Sequence, residues 1–194
     1  MDKFAPGEVT VSKGDIFSSC QRPKNLIEKD QVNQSEYAST VVSRMYNMIC
    51  IRPEISFIVG MLGRFQQNPG VIHWKAVKKV LRYLQKTEDY SLVYKRSEKL
   101  EVVGFSDSDF AGYKDSKKST SGYIFTLVRG AISWRSAKQT LVASSIMKAD
   151  YVACFEVTQH VVWLKNFISG LKVVDSISRP IRLCYDNAAV VIFF

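Results

Sequence analysis

The sequence predicts a mixed α/β chain, with a helical first half followed by a mixed β-sheet carrying packed helices. Three observations lead there. Breakers at Arg52-Pro53 and Asn68-Pro69-Gly70 cut the stretch before Lys86 into separate helical segments. Past Asp89-Tyr90 the pattern changes to short β-prone runs separated by Gly and Ser. One long helical period then intervenes before a further strand, which is the order of hairpin strands, crossover helix and added strand.

Residues 1–34 mix Lys, Asp, Asn and Gln with two prolines and keep no period, so they read as an extended or poorly ordered lead-in. A helical segment over 35–96 follows, with helices predicted over 36–50, 54–67 and 72–86. In the last of these, Trp74, Val77, Leu81 and Leu84 form an apolar stripe. Lys75, Lys78, Lys79, Arg82 and Lys86 form a basic face opposite it. That face is either simply solvated or a contact surface for a phosphate backbone, because several lysines on one side release counterions together.

A boundary near Ser97 opens a second domain over 97–194. Strands are predicted over 100–106, 122–127 and 131–135, a helix over 145–171, a strand over 181–185, and a last helix beginning at Asp186 or Asn187.

The composition fits this plan. A length of 194 residues leaves room for one domain, or one with a helical appendage. At 46% hydrophobic and 12% aromatic the chain can fill a core, which excludes disorder as its main state. Lys and Arg total 27 against 18 Asp and Glu, and the net charge of +9 is spread over both halves. An anionic partner is implied, either nucleic acid or an acidic membrane surface. Four separated cysteines and two histidines offer no zinc spacing, and buried free thiols are expected. No signal-peptide pattern or run of eighteen apolar residues occurs, so an intracellular chain without a membrane partner is expected, cytoplasmic or nuclear.

Three aspartates stand where a carboxylate needs a reason. Alternation puts Val103, Phe105 and Asp107 on one strand face, so Asp107 is expected at the strand end on a largely apolar side. Asp186 closes the strand over 181–185. In the long helix, Cys154, Val157, Val161, Leu164, Ile168 and Leu171 make a stripe that extends back to Met147 and Asp150. Acids gathered on one patch are neutralised by bases, by protonation or by a cation. Oxygen-only ligands favour Mg²⁺ or Mn²⁺, and two such ions would suit phosphodiester hydrolysis. Simpler roles stay open: Asp186 as a helix cap, Asp107 with Asp109 in a turn, Asp150 at a frayed helix start.

At these residues the chain resembles the ribonuclease H region at the end of copia-type retrotransposon polyproteins. Gly104-Phe105-Ser106-Asp107-Ser108-Asp109-Phe110-Ala111-Gly112, Lys118-Ser119-Thr120-Ser121-Gly122-Tyr123 and Ile132-Ser133-Trp134 look like its opening strands. Lys138-Gln139-Thr140, Ser144-Ser145 and Ala149-Asp150-Tyr151-Val152-Ala153 look like its central helix region, and Cys184-Tyr185-Asp186-Asn187 like its fourth strand. Upstream, Tyr46, Arg52-Pro53-Glu54-Ile55, Asn68-Pro69-Gly70, His73-Trp74 and Val80-Leu81-Arg82-Tyr83-Leu84 resemble the join between the reverse-transcriptase thumb and that domain. No Asp-Asp pair occurs, so the polymerase site is not included.

The resemblance implies a ribonuclease H-like mixed sheet behind a small thumb or connection remnant. It also implies cleavage of the RNA strand of an RNA–DNA hybrid with two Mg²⁺ (or Mn²⁺) ions, as part of a longer Pol polyprotein. Its metal ligands and catalytic acids would be Asp107, Asp150 and Asp186. Asp150 stands where the family has a glutamate, one carbon–carbon bond of ~1.5 Å longer, and Lys148 where it usually has an acid. The family's fourth aspartate, after a Lys-His-Ile motif, has no match before Phe194. A C-terminally truncated domain with an exposed apolar patch over 190–194 and impaired activity is therefore expected, the alternative being a nucleic-acid-binding remnant or a degenerate element fragment.

Overall fold

Asn25 and Asn33 each open a helix in or beside the predicted lead-in. Asn25 accepts the Glu28 amide and caps α1 (Leu26–Asp30), and Asn33 accepts the Ser35 and Glu36 amides and caps α2 (Gln34–Cys50). The computed structural model describes residues 16–94, 96, 100–171 and 180–185. It divides into two units, the first running to Ser91 and including Tyr113–Asp115, the second holding the remainder.

In the first unit the stretch predicted as one helix over 54–67 is broken into a 3₁₀ turn (Pro53–Ile55), α3 (Ser56–Leu62) and a second 3₁₀ turn (Gly63–Phe65). Pro53 sets the first turn. At the second, Gly63 leaves room for Met45, whose Cε would lie 2.2 Å from a Cβ there. α4 (Val71–Lys86) follows the Asn68-Pro69-Gly70 break as predicted. Its buried side is wider than the predicted stripe and holds His73, Ala76, Val77, Val80, Leu81 and Leu84, while Trp74 is only partly buried. The core of this unit joins Tyr37, Val41, Ile55, Ile58, Leu62, Val77 and Val80. Phe17 and Val32, each 4% exposed, are anchored in the same core, which ties this part of the lead-in down. Tyr37 donates its hydroxyl to the Leu62 carbonyl at 2.9 Å.

The second unit is a four-stranded mixed sheet of order β3-β2-β1-β4, made of β1 (Val102–Asp109), β2 (Thr120–Leu127), β3 (Gly130–Lys138) and β4 (Arg182–Tyr185). The β1/β2 and β2/β3 pairs are antiparallel, and β1/β4 is parallel. A parallel partner requires a crossover, and α5 (Ile146–Leu171) lies in the chain between β3 and β4. Val102, Phe125, Val157, Leu164 and Ile168 form the core between sheet and helix.

Two expectations for α5 are corrected. Met147 is 48% and Leu171 54% exposed, so neither belongs to the buried stripe. Ala149 and Ala153 occupy the packed side instead, and their short side chains let the first turns approach the sheet closely. The cysteines are all free, but only Cys154 is buried, while Cys20 and Cys50 are exposed. Among the described residues no helix is long and apolar enough to cross a membrane. Asp186, the last predicted helix and the predicted apolar patch over 190–194 lie outside the described residues.

Candidate functional site

The site begins with the alternation of β1. Val102, Gly104 and Ser106 are buried, whereas Phe105, Asp107 and Asp109 are exposed. A Cβ on Gly104 would lie 2.5 Å from Leu183 Cδ2 and 2.6 Å from Phe125 Cε1, so this face is the one packed into the core. The expectation that Asp107 sits on the apolar side is therefore corrected: it is on the open face with Phe105. The reason is that close packing in β1 selects small residues, so the bulky apolar ones mark the opposite face.

Ser108 joins two of the predicted acids. Its backbone N–H donates to Asp107 Oδ1 at 2.7 Å, and its hydroxyl donates to Asp150 Oδ1 at 2.5 Å. Asp150 is half-buried in the first turns of α5, where Ser145 receives the Lys148 amide on its hydroxyl and the Ala149 amide on its carbonyl. Partial desolvation of the carboxyl, and secondarily the negative charge of Asp107, raise the Asp109 carboxyl above the ordinary aspartate range although the residue as a whole is exposed. Asp109 also folds over the following turn, since a Cβ on Gly112 would lie 1.8 Å from Asp109 Oδ2.

Oxygen-only donors suit a hard divalent cation in kind. Among the described residues no group of three His, Cys, Asp or Glu side chains could hold a metal ion. Asp107 and Asp150 lie among the described residues, while Asp186, the third predicted ligand, does not. Sequence reasoning missed Ser108 and Gln139. Gln139 is 1% exposed and hydrogen-bonded to both β2 and α5. The signals for it were its place in the Lys138-Gln139-Thr140 motif and its position directly after a strand and before a Ser-rich helix start, neither of which assigns it a role.

The predicted basic residues all lie on α4, in the first unit. Lys75 and Lys86 are exposed, while Lys78, Lys79 and Arg82 are half-buried. Lys78 Nζ sits 5.3 Å from the centre of the Trp74 ring, so part of its charge is spent on a local cation–π contact. Arg82 Nε is buried without a hydrogen-bond partner among the described residues.

The chain is similar to the "Retrovirus-related Pol polyprotein from transposon TNT 1-94" of Nicotiana tabacum, with 43% identity over 149 residues, covering 77% of this chain and 11% of that protein. It is 34% identical over 153 residues to the Pol polyprotein from transposon RE2 of Arabidopsis thaliana, covering 79% of this chain and 10% of that protein. It is also 47% identical over 128 residues to "Secreted RxLR effector protein 161" of Plasmopara viticola, covering 66% of this chain and 90% of that protein. The chain therefore spans about a tenth of the length of the Pol polyproteins it matches. No protein-family model and no solved structure matches it.

Proposed function

The chain belongs to the Pol polyproteins of copia-type retrotransposons, and from that premise we propose that its second unit is a ribonuclease H-type module acting on RNA–DNA hybrids, with hydrolysis impaired. The observation that carries this reading is the bridge at Ser108, to which Asp107 of β1 and Asp150 of α5 are both bonded. Asp107 and Asp150, with Asp186, would hold Mg²⁺ or Mn²⁺. Bound there, the ions supply a water made nucleophilic at neutral pH and positive charge for the departing oxygen.

The remaining work falls to the protein. Ser108 orients both carboxylates, through its amide on one side and its hydroxyl on the other. Asp107, exposed on the open face of β1, is accessible to a duplex. The basic residues of α4, Lys75, Lys78, Lys79, Arg82 and Lys86, hold phosphate by charge, independent of sequence. The 2′-hydroxyl of RNA separates the strand to be cut from its DNA partner. The impairment starts from Asp150, which is one methylene shorter than glutamate and whose Oδ1 is already engaged by Ser108. Exposed Lys148 adds a competing positive charge beside it.

That same engagement of Asp150 favours a second reading, a module that binds nucleic acid without turnover. One experiment separates the two. Incubation with a labelled RNA–DNA hybrid and Mg²⁺ yields shortened RNA under the first, while salt-sensitive retention of an intact hybrid is the outcome of the second.

A further inference from the structure

Gln139 closes a ring around Asp150. Its side-chain amide donates to Ser121 Oγ at 3.0 Å and to the Ala149 carbonyl at 2.8 Å. Ser121 is the cross-strand partner of Ser108. Ser108 in turn donates to Asp150, the residue after Ala149. The first turns of α5 are thus fastened to the sheet at two adjacent residues, by backbone at Ala149 and by side chain at Asp150. The Gln139 backbone amide completes the attachment by donating to the Ser119 carbonyl at 2.9 Å.

From this ring we propose that Gln139 is a positioning residue for Asp150: it sets the placement of the α5 start against β1 and so aims the carboxylate. The inference rests on the nuclease reading for its functional consequence, although the positioning itself is independent of it. Burial of a side-chain amide is costly unless its hydrogen bonds are made, and the Oε1 of Gln139 has no partner among the described residues. An apolar residue would fill the space at less cost, so the two donor bonds are what the glutamine contributes. A carboxylate that must approach an ion within tenths of an ångström depends on such outer contacts, whose loss typically weakens metal affinity ~10- to 100-fold.

The test uses the full chain, Gln139→Met, which keeps the length of the side chain and removes both donor bonds, and Ser121→Ala, which removes one acceptor. Amide hydrogen exchange and Mn²⁺ binding, followed by water-proton relaxation, are measured in both. In Gln139→Met, exchange of the Asp150 to Ala153 amides accelerates about tenfold while that over 161–168 stays unchanged. Mn²⁺ affinity of the folded protein falls about tenfold. Ser121→Ala shifts both in the same direction by less, and decides the matter if Gln139→Met does not fold. Unchanged exchange at Asp150 to Ala153, or acceleration spread evenly along α5, overturns the proposal. If the wild-type chain binds no Mn²⁺, the nuclease reading fails, and the exchange measurement still decides the role of Gln139.

Discussion

Ser108 and Asp150, 42 positions apart, share a 2.5 Å hydrogen bond that joins the end of β1 to the first turns of α5. The bond uses one of the two oxygens of Asp150. A glutamate there extends ~1.5 Å further and can satisfy Ser108 while presenting its second oxygen beyond it. Asp150→Glu is expected to raise the initial rate of Mg²⁺-dependent hybrid cleavage ~10-fold over wild type. An unchanged or lower rate would remove side-chain length as the cause of the impairment.

His73 makes the first unit sensitive to acid. It is 0% exposed, its ring stacks on Phe65 at 4.0 Å, and its Nδ1 accepts the Gly70 amide at 2.9 Å. Burial, with a smaller contribution from the charge of Arg22, lowers its pKa from 6.5 to about 4. The unfolded chain therefore takes up a proton before the folded one does. The stabilisation is complete above the unfolded pKa and is lost as pH falls from there toward the folded value, by roughly 3 kcal/mol at most. In urea titrations of wild type and His73→Asn, the stability difference should narrow by about that amount between neutral pH and about pH 4. A gap independent of pH would contradict the assignment.

The two-residue turn between β2 and β3 carries strain. Val128 and Arg129 have φ of 49° and 70°, a left-handed pair suited to asparagine and glycine and unfavourable for a β-branched residue. The double substitution Val128→Asn, Arg129→Gly should stabilise the second unit by about 1 kcal/mol by relieving that strain, read as a higher melting temperature. An equal or lower value would mean that the turn is not strained.

Gly104 has the opposite constraint. Because a Cβ there meets Leu183 and Phe125 at 2.5 and 2.6 Å, Gly104→Ala should destabilise the second unit by ~1–3 kcal/mol. Trimming the neighbour with Leu183→Ala should make the added methyl less costly, and a double-mutant cycle by chemical denaturation measures that coupling. Additive effects would show that the two positions do not touch.

The parts legible in sequence were those with local punctuation. Pro53 and Asn68-Pro69-Gly70 placed helix boundaries to within a residue or two, and the hairpin strands and long helix followed from their periods. What escaped depends on distant partners. Phe17 and Val32 are isolated apolar residues in polar surroundings, with no period to show that they reach a core. At the end of β1 and the start of α5, packed positions are filled by Gly104, Ser106, Ala149 and Ala153, whose small side chains give little hydrophobic signal. The larger Phe105 therefore drew the expected apolar side of β1 to the open face, and on α5 the stripe held at Cys154, Val157, Leu164 and Ile168 but was extended wrongly to Met147. Asp107 and Asp150 were identifiable as residue types, while the roles of Ser108 and Gln139, though both stand in quoted motifs, emerged only once the sheet register brought them together.

The central claim is that Asp107 and Asp150 work as metal-dependent acids of a hybrid nuclease. The most direct measurement is the rate at which purified chain shortens a labelled RNA strand in an RNA–DNA hybrid, with Mg²⁺ or EDTA, for wild type, Asp107→Asn and Asp150→Glu. The account predicts slow cleavage that needs Mg²⁺, disappears in Asp107→Asn and increases in Asp150→Glu. Cleavage that persists in Asp107→Asn, or no cleavage by either wild type or Asp150→Glu at any Mg²⁺ concentration, would contradict it.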